Sequence, residues 1–156
     1  MKLLRYGPKG QEKPGLLDAD GVVRDLSGVI ADVAGAALLP ESIARLKAID
    51  TATLPKVPGT PQKDLRLGPC VGAIGKFICI GLNYADHAAE TGAAIPKEPI
   101  IFNKAPTSIC GPNDPTVIPK ESVKLDYEVE LGIVIGKRAR YLDRSKAMSA
   151  VAGYFL

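Results

Sequence analysis

The stretch Asp126-Tyr127-Glu128-Val129-Glu130-Leu131-Gly132-Ile133-Val134-Ile135-Gly136 constrains the chain most. It reads as a β-strand carrying two carboxylates two residues apart. Strand side chains alternate between faces, so Glu128 and Glu130 would point the same way, roughly 7 Å apart. Two like charges on one face of an otherwise apolar strand are costly unless something compensates them. Water does so on a solvated face. A hard divalent cation does so in a cleft, because such ions take carboxylate oxygens as ligands. The spacing alone leaves both readings open.

The chain has 156 residues, enough for one ordinary domain or for a small domain plus part of a larger one. Hydrophobic residues make up 46%, so it can bury a core and does not have the composition of a disordered chain. The net charge is only +3, and Lys and Arg are scattered with no aromatic-interleaved basic stripe. That argues against nucleic acid as a partner. No apolar run approaches the ~18 residues needed to span a bilayer. The opening Met1–Tyr6 lacks the apolar core of a signal peptide. Cys70, Cys79 and Cys110 form no Cys-x-x-Cys pair, which fits reduced thiols in a cytoplasmic protein, with Cys79 a small core residue.

Lys2–Arg5 reads as a short strand. Gly15–Leu17 and Val22–Asp25 read as a hairpin around Asp18-Ala19-Asp20-Gly21, since Asp-Gly tolerates the positive φ of a tight turn. Ile43, Leu46 and Ile49 predict an amphipathic helix over 41–49. Three prolines and a glycine between Leu54 and Pro61 predict a stiff linker. The division is therefore a small N-terminal domain with linker, 1–65, and a second region, 66–156. Phe77–Leu82 is apolar on both faces and reads as a buried strand. A short helix follows it, with Asn83 or Asp86 able to cap its start and Gly92 to end it. Ile100–Phe102 reads as another strand, running into Lys104. Gly81, Gly92 and Gly111 read as turn or close-approach positions. A helix is expected over Ser145–Ala150, capped by Asp143. The final Val151–Leu156 reads as the opening of a core strand.

His87 is the only histidine, so no multi-histidine metal site exists. Glu90 lies three residues on and shares its helix face. A carboxylate beside an imidazole orients it and raises its basicity, as a water-activating general base requires. On the spacing alone, an exposed surface pair on a short helix is the plainer reading. Lys104 either neutralises an anionic substrate or sits in water at a strand end. No phosphate-cradling glycine loop opens a helix.

The order of these features is more specific than any one of them. Gly81-Leu82-Asn83-Tyr84-x-x-His87-x-x-Glu90 is followed by the Phe102-x-Lys104 segment, and then by Asp126-Tyr127-Glu128-x-Glu130-Leu131-Gly132. This series resembles the fumarylacetoacetate hydrolase family, from about Phe77 to Tyr154. The segments Met1–Gly7 and Glu12–Asp18 also resemble the small N-terminal domain of one bacterial branch, whose members are described as ureidoglycolate lyases or hydrolases of diketo sugar acids. The resemblance implies an α+β, mostly β fold: a small N-terminal α/β domain plus a mixed β-sheet roll, as a homodimer. It implies Mg²⁺ or Mn²⁺, with Ca²⁺ as a further candidate, held by Glu128, Glu130 and a later aspartate. It implies a small carboxylic acid substrate of α-keto, acylpyruvate-like or ureido type, contacted by Tyr84 and Lys104. It further implies that His87, oriented by Glu90 on a mobile lid, activates water before a C–C or related bond breaks.

Family members continue after the Val-Ala-Gly-Tyr segment into residues that carry the third acidic ligand and, further on, a lysine. The expectation is therefore a catalytic region truncated at its C-terminus, with that third ligand absent. Two functional readings follow. One is a metal-dependent hydrolase or lyase. The other is a catalytically inactive remnant of such an enzyme.

Overall fold

A computed structural model describes residues 1–59 and 65–156. Thr60 and Pro61 of the proline-rich segment lie outside the described residues. The chain forms two compact units, one of Met1–Ala73 with Cys110–Leu156 and one of Ile74–Ile109.

The first unit opens with an antiparallel meander of β1 (Lys2–Tyr6), β2 (Lys13–Leu17) and β3 (Val23–Asp25), in that spatial order. The turn from β2 to β3 follows from its residues. Asp18 Oδ1 accepts hydrogen bonds from the backbone N–H of Asp20 at 3.0 Å and Val22 at 2.8 Å, and Gly21 supplies a φ of 76°. Arg24 then pairs with Asp18 at 2.7 Å and donates to the Leu54 carbonyl at 3.2 Å. Helix α1 (Pro40–Lys47) begins with proline at its first turn, where a missing N–H costs nothing. Its Leu46 joins Leu16, Leu26 and Leu54 in one buried cluster, against which Leu3, Ile30 and Ile49 pack. Tyr6, Val23 and Val57 form a second cluster, flanked by Leu4, Leu17, Leu65 and Leu67. The proline-rich stretch runs beside the sheet: Asp25 N–H donates to the Pro55 carbonyl and Val57 N–H to the Val23 carbonyl, both at 2.9 Å.

In the second unit, β4 (Phe77–Gly81) pairs antiparallel with β5 (Ile100–Lys104), in the register Cys79 to Phe102. Helix α2 (Ala85–Glu90) lies between them in sequence. Gly92, at a φ of 67°, closes that helix as its position suggested, and Ala93 N–H donates back to the Ala88 carbonyl at 2.8 Å. The start differs from expectation. Tyr84 occupies the capping position, and Asp86 instead sits in the first turn, its carboxylate accepting from His87 N–H at 2.9 Å. The expectation of a strand buried on both faces also fails. β4 belongs to a two-stranded sheet and alternates between half-buried and exposed residues, with Ile78 55% exposed. Cys79 is half-buried, and the three thiols are free.

The first unit closes with β6 (Gly132–Ile135), α3 (Arg144–Ala147) and β7 (Val151–Phe155), with β6 and β7 antiparallel. Asp143 stands at the N-cap of α3 but makes no side-chain capping bond, and the last turn before β7 is a 3-10 turn rather than α-helix. The Phe155 ring lies over Gly132, where a Cβ would collide with it. At Gly136 a Cβ would meet the Leu38 carbonyl and Ala152, so this end of the hairpin lies close against the N-terminal part of its unit.

The strand expected from Asp126 begins only at Gly132. A strand is defined by the neighbour that satisfies its N–H and C=O groups. The ladder opposes Gly132 to Phe155. Continued in register, Leu131 would face Leu156, while Glu130 and Glu128 would face positions one and three residues past Leu156.

Candidate functional site

His87 and Glu90 both lie on α2, three residues apart, and both are exposed. Tyr84 stands at the N-terminus of the same helix. Lys104 closes β5 opposite Phe77, at the end of the β4–β5 ladder remote from the Gly81–Ile100 pair that leads toward the helix. The four residues share one compact unit. Glu128 and Glu130 belong to the other, on the exposed segment that precedes β6. Beside them, the Asp126 carboxylate accepts from the Tyr127 N–H at 2.8 Å.

Chemically, Glu128 and Glu130 suit a hard divalent cation, since carboxylate oxygens are its preferred ligands. In number they fall short. Among the described residues no group of three or more His, Cys, Asp or Glu side chains gathers to hold a metal ion. Two carboxylates are fewer ligands than such an ion takes.

The most elaborate electrostatic arrangement lies elsewhere in the first unit, and its sequence gives no warning of it. Arg66 forks onto Asp114, Nε to Oδ1 at 2.8 Å and Nη2 to Oδ2 at 2.7 Å. Its Nη1 donates to Glu12 Oε1 at 2.9 Å and to the Gly7 carbonyl at 2.8 Å. Arg5 reaches Glu12 at 3.6 Å and Asp32 at 2.7 Å. The Arg66 guanidinium and the Gly111 N–H hold the Asp114 carboxyl below the usual carboxylate range. At Glu12 burial acts in the opposite direction, but hydrogen bonds from Arg66 and the backbone outweigh it and lower that carboxyl too. The loop is tight as well as charged: a Cβ on Gly111 would strike the Leu67 carbonyl. Gly-Pro-Asn-Asp-Pro marks a turn in the sequence. Nothing in it names a partner 48 residues away.

No helix among the described residues is long and apolar enough to cross a membrane.

Comparison with known proteins supplies what the geometry lacks. Residues 76–156 match the model of the fumarylacetoacetate (FAA) hydrolase C-terminal family. A protein of Burkholderia ambifaria (strain MC40-6), provisionally named a hydrolase, is 62% identical over 154 residues, which are 99% of this chain and 53% of that relative. A Burkholderia multivorans protein with the same provisional name is 61% identical with the same coverage. Among solved structures, a fumarylacetoacetate hydrolase from psychrophilic Exiguobacterium antarcticum superposes with a TM-score of 0.73 at 32% identity, over 99% of this chain and 53% of that one. The chain thus spans about half the length of the curated relatives it matches, and its mixed, mostly β architecture is shared with the Exiguobacterium structure over the matched span. With the family model matching residues 76–156, more than half of its length, the chain belongs to the fumarylacetoacetate hydrolase family.

Proposed function

We propose that this chain carries the base-bearing helix and two of the metal-binding carboxylates of a hydrolase that cleaves a C–C bond in an acylpyruvate-like α-keto acid. The supporting observation is the family match across the very residues that hold His87-x-x-Glu90 and Glu128-x-Glu130.

In this reading the His87 imidazole takes a proton from water as the oxygen adds to the substrate carbonyl carbon. Glu90, on the same helix, orients the ring and stabilises its protonated form. The C–C bond then breaks, its electron pair remaining with the pyruvate-like fragment. The proton held by His87 returns to that fragment's carbon. Lys104 balances the substrate's carboxylate, and Tyr84 contacts the substrate beside the helix. A bound Mg²⁺ or Mn²⁺ would supply Lewis-acid stabilisation of the developing enolate charge. Glu128 and Glu130 would hold it, together with an acidic group from outside the described residues.

Two carboxylates should bind such an ion weakly, because affinity falls with ligand charge count. Titration of the chain with Mn²⁺, followed by water-proton relaxation, should give a dissociation constant on the order of 1 mM. Glu128→Gln and Glu130→Gln should each weaken it further by about tenfold or more. With the remainder of the Burkholderia ambifaria relative supplied as a second polypeptide, acylpyruvate hydrolysis should appear. It should fall on the order of 100-fold in His87→Ala, the usual worth of a general base. Mn²⁺ binding indifferent to both glutamates, or turnover indifferent to His87, would overturn the reading.

A further inference from the structure

The chain leaves the first unit after Ala73 and returns to it at Cys110. Between those crossings only Ala88 is buried, and the sheet is the two-stranded β4–β5 ladder. A two-stranded ladder is marginal on its own. The crossings themselves are tightly held inside the first unit. Gly72 is buried, and its N–H donates to the Val33 carbonyl at 3.0 Å. A Cβ there would meet the Asp32 carboxylate and the Arg5 guanidinium. Ala73 follows at a φ of 51°. That left-handed conformation is unfavourable for a residue with a Cβ and persists only where the surroundings impose it. On the return, Gly111 lies against the Leu67 carbonyl, and its N–H donates to Asp114 Oδ2 at 2.9 Å.

One series of ion pairs joins the two places. Asp32, beneath the outgoing crossing, pairs with Arg5 at 2.7 Å, and Arg5 reaches Glu12 at 3.6 Å. Glu12 pairs with Arg66 at 2.9 Å, and Arg66 with Asp114, beside the returning crossing, at 2.7 Å. The Glu12 side chain at the centre is only 6% exposed. Breaking a pair that is largely out of water is costly, because the charge left behind has no partner. The exposed Lys146–Asp143 pair at 3.9 Å is of the kind that contributes little.

We propose that the series Asp32–Arg5–Glu12–Arg66–Asp114 is a clasp on the two crossings. Closed, it fixes the outgoing and returning segments within the first unit and holds Ala73 in its left-handed conformation. Opened, it releases residues 74–109 to open as one cooperative body while β1–β3 stays folded. Sub-global opening of this kind belongs to elements with few buried contacts. The proposal rests on the chain path and the ion pairs, so it stands or falls separately from the chemistry proposed above.

The test is native-state amide exchange of the full chain in graded urea. In the parent, β4 and β5 amides should exchange through one opening with a smaller urea dependence than those of β1–β3, since less surface is exposed. Asp114→Asn should speed β4–β5 exchange about tenfold or more, the usual worth of a hydrogen bond between charged groups. Asp32→Asn, at the far end of the series, should act in the same direction, and the double variant should fall short of the product because both act on one network. Leu16→Ala, in the sheet that stays folded, should speed β1–β3 exchange and leave β4–β5 as it was. Lys146→Ala, which removes the exposed pair in the same unit, should change neither. Circular dichroism reports that each variant is folded, and the urea dependence of the parent needs no variant. A common urea dependence for both sheets, β4–β5 exchange indifferent to the two aspartate variants, strictly multiplicative effects of the two, or β4–β5 exchange quickened by Leu16→Ala as much as β1–β3 would each overturn the proposal.

Discussion

Arg66 makes four side-chain hydrogen bonds inside one unit. It joins a residue of the first loop, a buried glutamate and an aspartate from a turn 48 positions later. The Asp114 carboxyl is lowered by that contact, so the stabilisation it contributes is present above the ordinary aspartate pKa of ~4 and is lost as pH falls through the lower, folded-state value. Asp114→Asn should therefore lower the thermal midpoint by several degrees at pH 7. The gap between variant and parent should narrow once pH falls below about 4 and close at the lower folded-state value, where the parent also loses the charge. Melting both proteins from pH 7 to pH 2.5 tests this, and a gap that persists at the acid end would contradict it. At this scale the sequence was legible where the chemistry is local. Gly21 and Gly92 adopt the positive φ their contexts suggested, and Gly111 is the close approach expected of it. It was not legible where partners are distant, because a charged residue carries no record of which opposite charge the fold will bring to it.

Among the elements, the β2–β3 hairpin, the helix near residue 43 and the β4–β5 pair follow from periodicity and turn residues. The N-caps do not: Asp143 stands in the right place without a side-chain capping bond, and Asp86 accepts its bond two positions further in than the cap. The greatest departure is at Glu128 and Glu130. The alternation there is real, but alternation states only which residues would share a face, and a strand also needs a neighbour. β6 starts where β7 can reach it. The β6–β7 hairpin depends in turn on Gly132, which leaves room for the Phe155 ring. Gly132→Val should displace that ring and unpair the hairpin. Amide protection should be lost at Ile133 and Val134, while exchange in β1–β3 stays as it was. Unchanged protection in β6 would show that the ring has an alternative seat.

Across the molecule, burial is uneven. The largest fully buried side chains are Leu16, Leu26, Val23, Val33 and Pro14, all from the first third of the chain. The exposed large apolar residues crowd the later sequence, from Ile78 to Leu156. Leu16→Ala, at a residue 2% exposed, should cost about 2–5 kcal/mol, read as a lower urea midpoint by circular dichroism. A cost under about 1 kcal/mol would mean that the cluster around it is not the centre of stability. The family and the order of its motifs could be recognised from sequence because the motifs are local strings. Whether the glutamates sit in a completed strand could not, because that depends on residues pairing across a ladder rather than along a string.

The span between Arg66 and Asp114 also sets a timetable for synthesis. At roughly 5–20 residues per second, the ribosome adds the intervening 48 residues in about 2–10 seconds. The β1–β3 sheet, its α1 cover and the contacts of Arg66 to Glu12 and Gly7 are all encoded before that interval begins. Until Asp114 arrives, water must stand in for its carboxylate on the Arg66 guanidinium. Slowing translation between codons 66 and 114 would lengthen that exposure, and the cost would appear as aggregation of nascent chains rather than as a change in the finished protein.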